Sequence, residues 1–246
     1  MLDSPYSAVQ VGCMIKRLLV AELAAVLYYM SNRDFNGLLD DECFYEFLNR
    51  ITAFIWAYAV TNPGVNALRT PIFAEMMNIV NRQPVRFSDY LFNTQQLQNV
   101  FNNYTFSNNR AITKAMLTWW AFQDPSQELL SLESVMEIEH IYARNRQEKE
   151  HSLSNPRNIE SLGNKVLLEK RINIRASDYR FSDKVKYYRG FEISRKQKKE
   201  GTKIKELTTI AENASDFTET DIVQRNAKII FGFVEYMHLN GLLSDD

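Results

Sequence analysis

Apolar residues recur at three- and four-residue spacing through the first half of the chain, and that rhythm stops near Ser134. It is first visible in Ile15, Leu18, Leu19, Ala25, Val26 and Tyr29, and similar runs follow over residues 44–58, 67–80, 90–101 and 111–122. A period near 3.6 gathers such positions on one face of a helix; a strand, whose faces alternate at every residue, cannot use it. Breaks fall at Asn62-Pro63-Gly64, Gln83-Pro84 and Asp124-Pro125, where proline removes a backbone donor. Pro71 stands near the start of a run, a position helices tolerate. Eight glycines and six prolines in 246 residues are few for a turn-rich β-sandwich. The expected fold is mainly α: a helical domain over residues 1–133, then a second domain over 134–246 that holds a small α+β unit and closing helices.

Two features bound the compartment. Leu18 to Met30 is the most membrane-like stretch, but it is too short to span a bilayer and contains Glu22, so a buried helix is expected. Cys13 and Cys43 fit neither a disulfide framework nor a zinc spacing, and read as small core residues of a reducing compartment. A cytoplasmic protein with no membrane partner is expected. Trp56, Trp119 and Trp120 lie within helical runs and read as packing.

After Ser134 the pattern changes. Residues 135–142 lack a helical stripe and read as a short strand. Residues 143–161 are polar and read as a long loop, and 165–168 as a second strand. Helices are expected over 169–176 and 181–191. The charged run 194–203 reads as a mobile linker, and Thr218 is an N-cap candidate for a last helix ending near Leu239.

The net charge of −1 conceals a segregation. Residues 1–139 carry 9 Lys and Arg against 14 Asp and Glu; residues 140–205 carry 18 against 8; residues 206–246 carry 2 against 8. A basic block between two acidic ones is the asymmetry expected of a polyanion-binding segment. Inside that block lie the residues with chemistry. Glu139-His140-Ile141 is followed by Gly163-Asn164-Lys165-Val166-Leu167 and then by Asn173. A carboxylate and an amide oxygen can hold a hard cation such as Mg²⁺. A neighbouring imidazole can take a proton from a water that attacks a phosphodiester. Neighbours on a straight strand face opposite sides, so the motif requires the strand to twist or end at Glu139-His140.

The order strand, loop, strand, helix, with Glu-His on the first strand and an asparagine on the helix, resembles the ββα-metal (HNH, or His-Me finger) arrangement. The stretch from Glu137 to Phe191 resembles the nuclease domain that closes GmrSD-type restriction proteins, with their E-H-I start, L-G-N centre, later asparagine and F-x-x-K tail. Phe181, Lys184 and Tyr187 fit that tail, and Ile222 with Arg225 resembles the closing segment. The nine-residue gap from Asn164 to Asn173 is also similar to the HNH domain of RNA-guided CRISPR effectors. Ala143 stands where the family usually has proline, and Lys165 where it usually has leucine.

The resemblance implies a DNA endonuclease of a restriction or phage-defence system, using Mg²⁺ or Mn²⁺. It implies His140 as general base, Asn164 as the brace of the loop, and Glu139 and Asn173 as metal ligands. Lys165, Lys170, Arg171 and Lys184 are candidate phosphate contacts. The family's NTPase-like domain has no counterpart here, and no G-x-x-x-x-G-K-[ST] loop is present, so an NTPase domain or subunit is an expected partner. The alternative reading is a catalytically silent nucleic-acid-binding or adaptor subunit.

Overall fold

The computed structural model describes residues 19–64, 67–130, 134–194 and 197–244. Among these are ten α-helices and two antiparallel two-stranded sheets. The contacts divide the chain into two compact units, one of residues 1–104 and 230–246, the other of residues 105–229.

The first unit is helical. It contains α1 (Leu19–Asn32), α2 (Asp41–Thr61), α3 (Arg69–Val80), α4 (Thr94–Asn103) and the last part of α10 (Glu219–Leu239). The proline breaks lie outside these helices, while Pro71 sits in the first turn of α3. Asp40 caps α2 by accepting from the Cys43 amide at 2.8 Å. Trp56 is fully buried and packs near Phe233 and Tyr236. Phe87 adopts a left-handed conformation (φ 52°) that bulky residues avoid. Its ring stacks on Phe54 at 3.7 Å, and its amide donates to the buried Glu75 carboxylate at 2.6 Å.

Two expectations fail in this unit. Cys43 is exposed rather than core, because it sits in the first turn of α2 on the solvent side; Cys13 lies outside the described residues. The first helix is not buried all round: Leu19, Val26 and Met30 are each more than half exposed. No helix among the described residues is long and apolar enough to cross a membrane.

The second unit holds α5 (Ala111–Ala121), then β1 (Met136–His140) and β2 (Lys165–Glu169) paired antiparallel, followed at once by α7 (Lys170–Ala176). This is the expected strand–strand–helix order. The intervening stretch is not an open loop. It forms α6 (Arg144–Glu150) and two 3-10 turns, Pro156–Glu160 and Leu162–Asn164. Then come α8 (Phe181–Arg189), a hairpin of β3 (Gly190–Ser194) and β4 (Gln197–Glu200), α9 (Lys205–Asn213) and the start of α10. Within the charged run expected to be a mobile linker, Gln197–Glu200 is therefore β structure, paired with Gly190–Ser194. Ahead of α10, the Thr218 amide and hydroxyl both donate to the Asp221 carboxylate (2.8 and 2.7 Å), one half of a capping box.

One side chain ties these pieces together. Arg225 on α10 is buried, and its Nη1 donates to the carbonyls of Leu162, Gly163 and Lys165 at 2.8, 3.0 and 2.7 Å. Its Nε and Nη2 meet the two oxygens of Glu206 on α9, both at 2.8 Å. Gly163 is obligatory beside it, since a Cβ there would stand 2.0 Å from the Ile222 carbonyl. Burial pushes the Glu206 carboxyl up, but the charge and hydrogen bonds of Arg225, with the bond from Trp120, outweigh it and hold the carboxyl below its ordinary value. A depressed carboxyl contributes stability above its unfolded value that is lost as pH falls through the folded one.

Arg225→Ala removes the counter-charge of Glu206, which keeps only the Trp120 donor, and a donor from each of three carbonyls, and should cost about 3–5 kcal/mol in denaturant unfolding. Arg225→Lys should rescue only part of this, because one ammonium cannot reproduce the fork. The wild type should lose stability on acidification below roughly pH 4 more steeply than Arg225→Ala. Equal acid sensitivity would contradict the pairing.

Candidate active site

The ladder sets which residues can meet. Glu139 lies opposite Val166 and His140 opposite Lys165, at the end of β1 where pairing stops. Immediately beyond, Asn164 pins the emerging chain. Its Oδ1 accepts from the Tyr142 amide at 2.7 Å, and its Nδ2 donates to the carbonyls of Tyr142 and Ile159, both at 3.1 Å. The Ile141 amide donates to the Asn164 carbonyl at 2.9 Å. All four of these bonds lie within one residue or two of His140, or hold the turn opposite it. Ala143, which replaces the family's proline, has φ −67° and so already holds the angle proline would impose.

The adjacent pair Glu139 and His140 engages two different sets of partners at the end of β1, where pairing stops. On one side, Glu139 Oε1 accepts from Lys184 Nζ and from the Tyr188 hydroxyl, each at 2.7 Å. Lys184 Nζ also donates to the His140 carbonyl at 2.7 Å. Phe181, Lys184 and Tyr188 share one face of α8, and all three are buried. Burial pushes the Glu139 carboxyl up, Lys184 and Tyr188 offset part of that, and Asp178 adds to the rise. The Tyr188 phenol is raised by burial and by the Glu139 charge.

On the other side, His140 Nε2 is buried without a hydrogen bond and lies 3.6 Å from Glu160 Oε1. That is too long for a hydrogen bond but within range of the charge. Glu160 is in turn held by Arg144 and, through Oε2, by Lys165 Nζ at 2.6 Å. Burial raises the Glu160 carboxyl, but the nearby His140 imidazole, the bond from Lys165 and the charges of both bring it down to about 2. Burial lowers the His140 imidazole; Glu160 acts against this, while Lys165 and Arg144 add to it. Burial thus favours the neutral imidazole, the form able to accept a proton.

Asn173, on α7, donates through Nδ2 to Glu137 Oε2 at 2.8 Å, and Lys170 Nζ lies 3.6 Å from Glu137 Oε1. A carboxylate only accepts, so this bond turns the Asn173 amide oxygen away from Glu137. No cluster of three His, Cys, Asp or Glu side chains suited to a metal ion forms among the described residues. The two expected ligands nevertheless each keep an oxygen without a protein hydrogen bond among these residues: Glu139 Oε2 and Asn173 Oδ1. One carboxylate oxygen and one amide oxygen suit a hard cation that retains water and takes its remaining ligands from a phosphate.

The four expected phosphate contacts separate. Lys170 and Arg171 are exposed. Lys165 and Lys184 are not surface cations: they are 0 % and 1 % exposed, and their ammonium groups are spent on protein acceptors. Lys165 Nζ donates to the Phe106 carbonyl, to Asn108 Oδ1 and to Glu160. The sequence reading missed Glu137, Glu160 and Tyr188. For Tyr188 a signal existed, since residues 181, 184 and 188 lie on one helical face; Tyr187 instead packs edge-on against Phe191.

No curated protein and no solved structure matches the chain. The family described as GmrSD restriction endonucleases, C-terminal domain, matches residues 87–230, more than half of the chain and all of the site just described. The chain therefore belongs to the GmrSD restriction endonucleases, as a carrier of their C-terminal domain.

Proposed function

We propose that the chain is a metal-dependent DNA endonuclease of the HNH type, serving a restriction or phage-defence system. The observation that carries this reading is the β1–β2–α7 unit with His140 at the end of its ladder and Asn164 bonded to the chain just beyond it. Family membership supports the substrate class.

Glu160 favours the tautomer with the proton on Nε2, because a carboxylate attracts N–H and repels a lone pair. Nδ1 then accepts a proton from a water whose oxygen forms the new bond to phosphorus, as the bond from phosphorus to the leaving oxygen breaks. Lys184 and Tyr188 hold Glu139, and Glu137 holds Asn173, so that Glu139 Oε2 and Asn173 Oδ1 would be the protein's ligands to Mg²⁺ or Mn²⁺. A bound cation there would offset the negative charge that gathers on the leaving oxygen. The residues would act on RNA by the same chemistry; the family is what favours DNA. The cytoplasm as compartment and an NTPase as partner are proposed with the same reading.

Plasmid DNA incubated with the full chain in Mg²⁺ should be nicked or linearised, and EDTA should abolish this. His140→Ala should lower the rate by roughly 10²–10⁴-fold with DNA binding retained. A chain that binds DNA in EDTA and never cuts it in Mg²⁺ or Mn²⁺ is the silent binding subunit instead. For Glu160→Gln, loss of the charge that supports imidazolium should move the acidic limb of the rate–pH profile to lower pH; an unmoved limb would remove Glu160 from the site.

A further inference from the structure

The hairpin β3–β4 is fastened to the ββα unit with little slack. A Cβ on Gly190 (φ 78°) would stand 2.6 Å from the Gly201 nitrogen, and one on Gly201 would stand 2.3 Å from the Tyr188 carbonyl. Only glycine permits that approach. At the exit of β4, Thr202 Oγ1 and the Lys203 amide donate to the two oxygens of Glu169, the last residue of β2, both at 2.7 Å. On α7, Arg171 and Arg175 lie four residues apart on one face and reach the same hairpin. Arg171 Nη2 meets Glu200 Oε2 at 2.7 Å, and Arg175 Nη2 donates to the Glu200 carbonyl at 3.3 Å.

Between helix and hairpin lies an open cleft lined by Arg171, Arg175, Lys198, Lys199 and Glu200. Four cations face one carboxylate, and that carboxylate is held in an exposed pair with Arg171 that salt and competing anions weaken. Asn173 projects from the other side of α7, toward Glu137 of β1. One short helix thus carries a candidate metal ligand on one face and the cationic cleft on another. The width of a helix, about 10–12 Å, corresponds to roughly three base steps along a strand of duplex DNA.

We propose that this cleft grips the sugar–phosphate backbone of duplex DNA beside the strand presented to His140. The polymer's identity rests on the nuclease reading above. The cleft is open and lined by charge alone, as a backbone site needs, and its cations come from two elements held in fixed register. Guanidinium groups pair with phosphate through two parallel bonds, and lysines supply point charges.

The test is equilibrium binding of a short labelled duplex to the full chain in EDTA, across a salt series. Each phosphate contact contributes about 0.9 to the slope of log K against log salt. Lys198→Gln/Lys199→Gln should lower that slope by about 2. Lys228→Gln, an exposed lysine on α10, should leave it unchanged. A double variant with the wild-type slope overturns the proposal, as does an equal fall in the Lys228 control. Displacement of the duplex by inorganic phosphate at matched ionic strength also overturns it, since that would make the cleft a discrete anion pocket. Because EDTA removes cleavage from the readout, the two readings fail separately. A slope that falls in a chain that never cuts keeps the cleft and removes the nuclease. A slope that holds in a chain that cuts with Mg²⁺ removes only the cleft.

Discussion

The buried guanidinium of Arg225 is the constraint on which the rest of the second unit depends. It donates to three carbonyls at the turn into β2, and it does so from a helix contributed 60 residues later in the chain. Buried carbonyls without donors are costly, so the turn holds this shape only with Arg225 in place. Gly163 allows α10 to come close enough, and Asn164 is thereby aimed at Tyr142 and Ile159. The position of His140 follows from that chain of contacts. It is inherited from a helix the histidine never touches through its own side chain in any bond described here.

Charge in the basic block is used in two distinct ways. Lys165 and Lys184 are interior counter-charges for Glu160 and Glu139, and they also satisfy backbone carbonyls. Losing Lys184 would strand the buried Glu139 carboxylate, and losing Glu160 would strand the buried Lys165 ammonium, each a larger penalty than losing a surface ion pair. Other cations face solvent, among them Arg171 on α7, Lys198 and Lys199 on β4, and Arg144 and Arg180. The strong positive excess of residues 140–205 is thus partly structural and partly surface, a distinction that net charge alone does not draw.

Much of this was legible in the sequence. Periodicity and proline breaks located the helices of the first unit, and the change of pattern near Ser134 located β1. Asn164 was expected to brace its loop, and its side chain bonds the amide and the carbonyl of Tyr142. What escaped reading depended on contacts distant in sequence. Lysine is rarely fully buried, so Lys165 and Lys184 read as surface until Glu160 and Glu139 are seen beside them. The run ending Lys198-Lys199-Glu200 has low strand propensity, and pairing with Gly190–Ser194 overrides it. The stretch 143–161 lacks an apolar stripe, so α6, which buries none of its residues fully, left no periodic signal. Glu137 is separated from Asn173 by the whole span between β1 and α7, and only the fold joins them.

The proposed metal site has one carboxylate whose charge Lys184 already offsets, and one neutral amide. It should therefore hold a cation poorly until a DNA phosphate completes the ligand set. Electron paramagnetic resonance of Mn²⁺ with the full chain, alone and with an uncleavable phosphorothioate duplex, tests this directly. Mn²⁺ should be almost entirely free with protein alone and bound when the duplex is added, and the binding should be lost again in Asn173→Ala. Mn²⁺ that stays free in the ternary mixture, or that binds equally well to the Asn173→Ala variant, would contradict it.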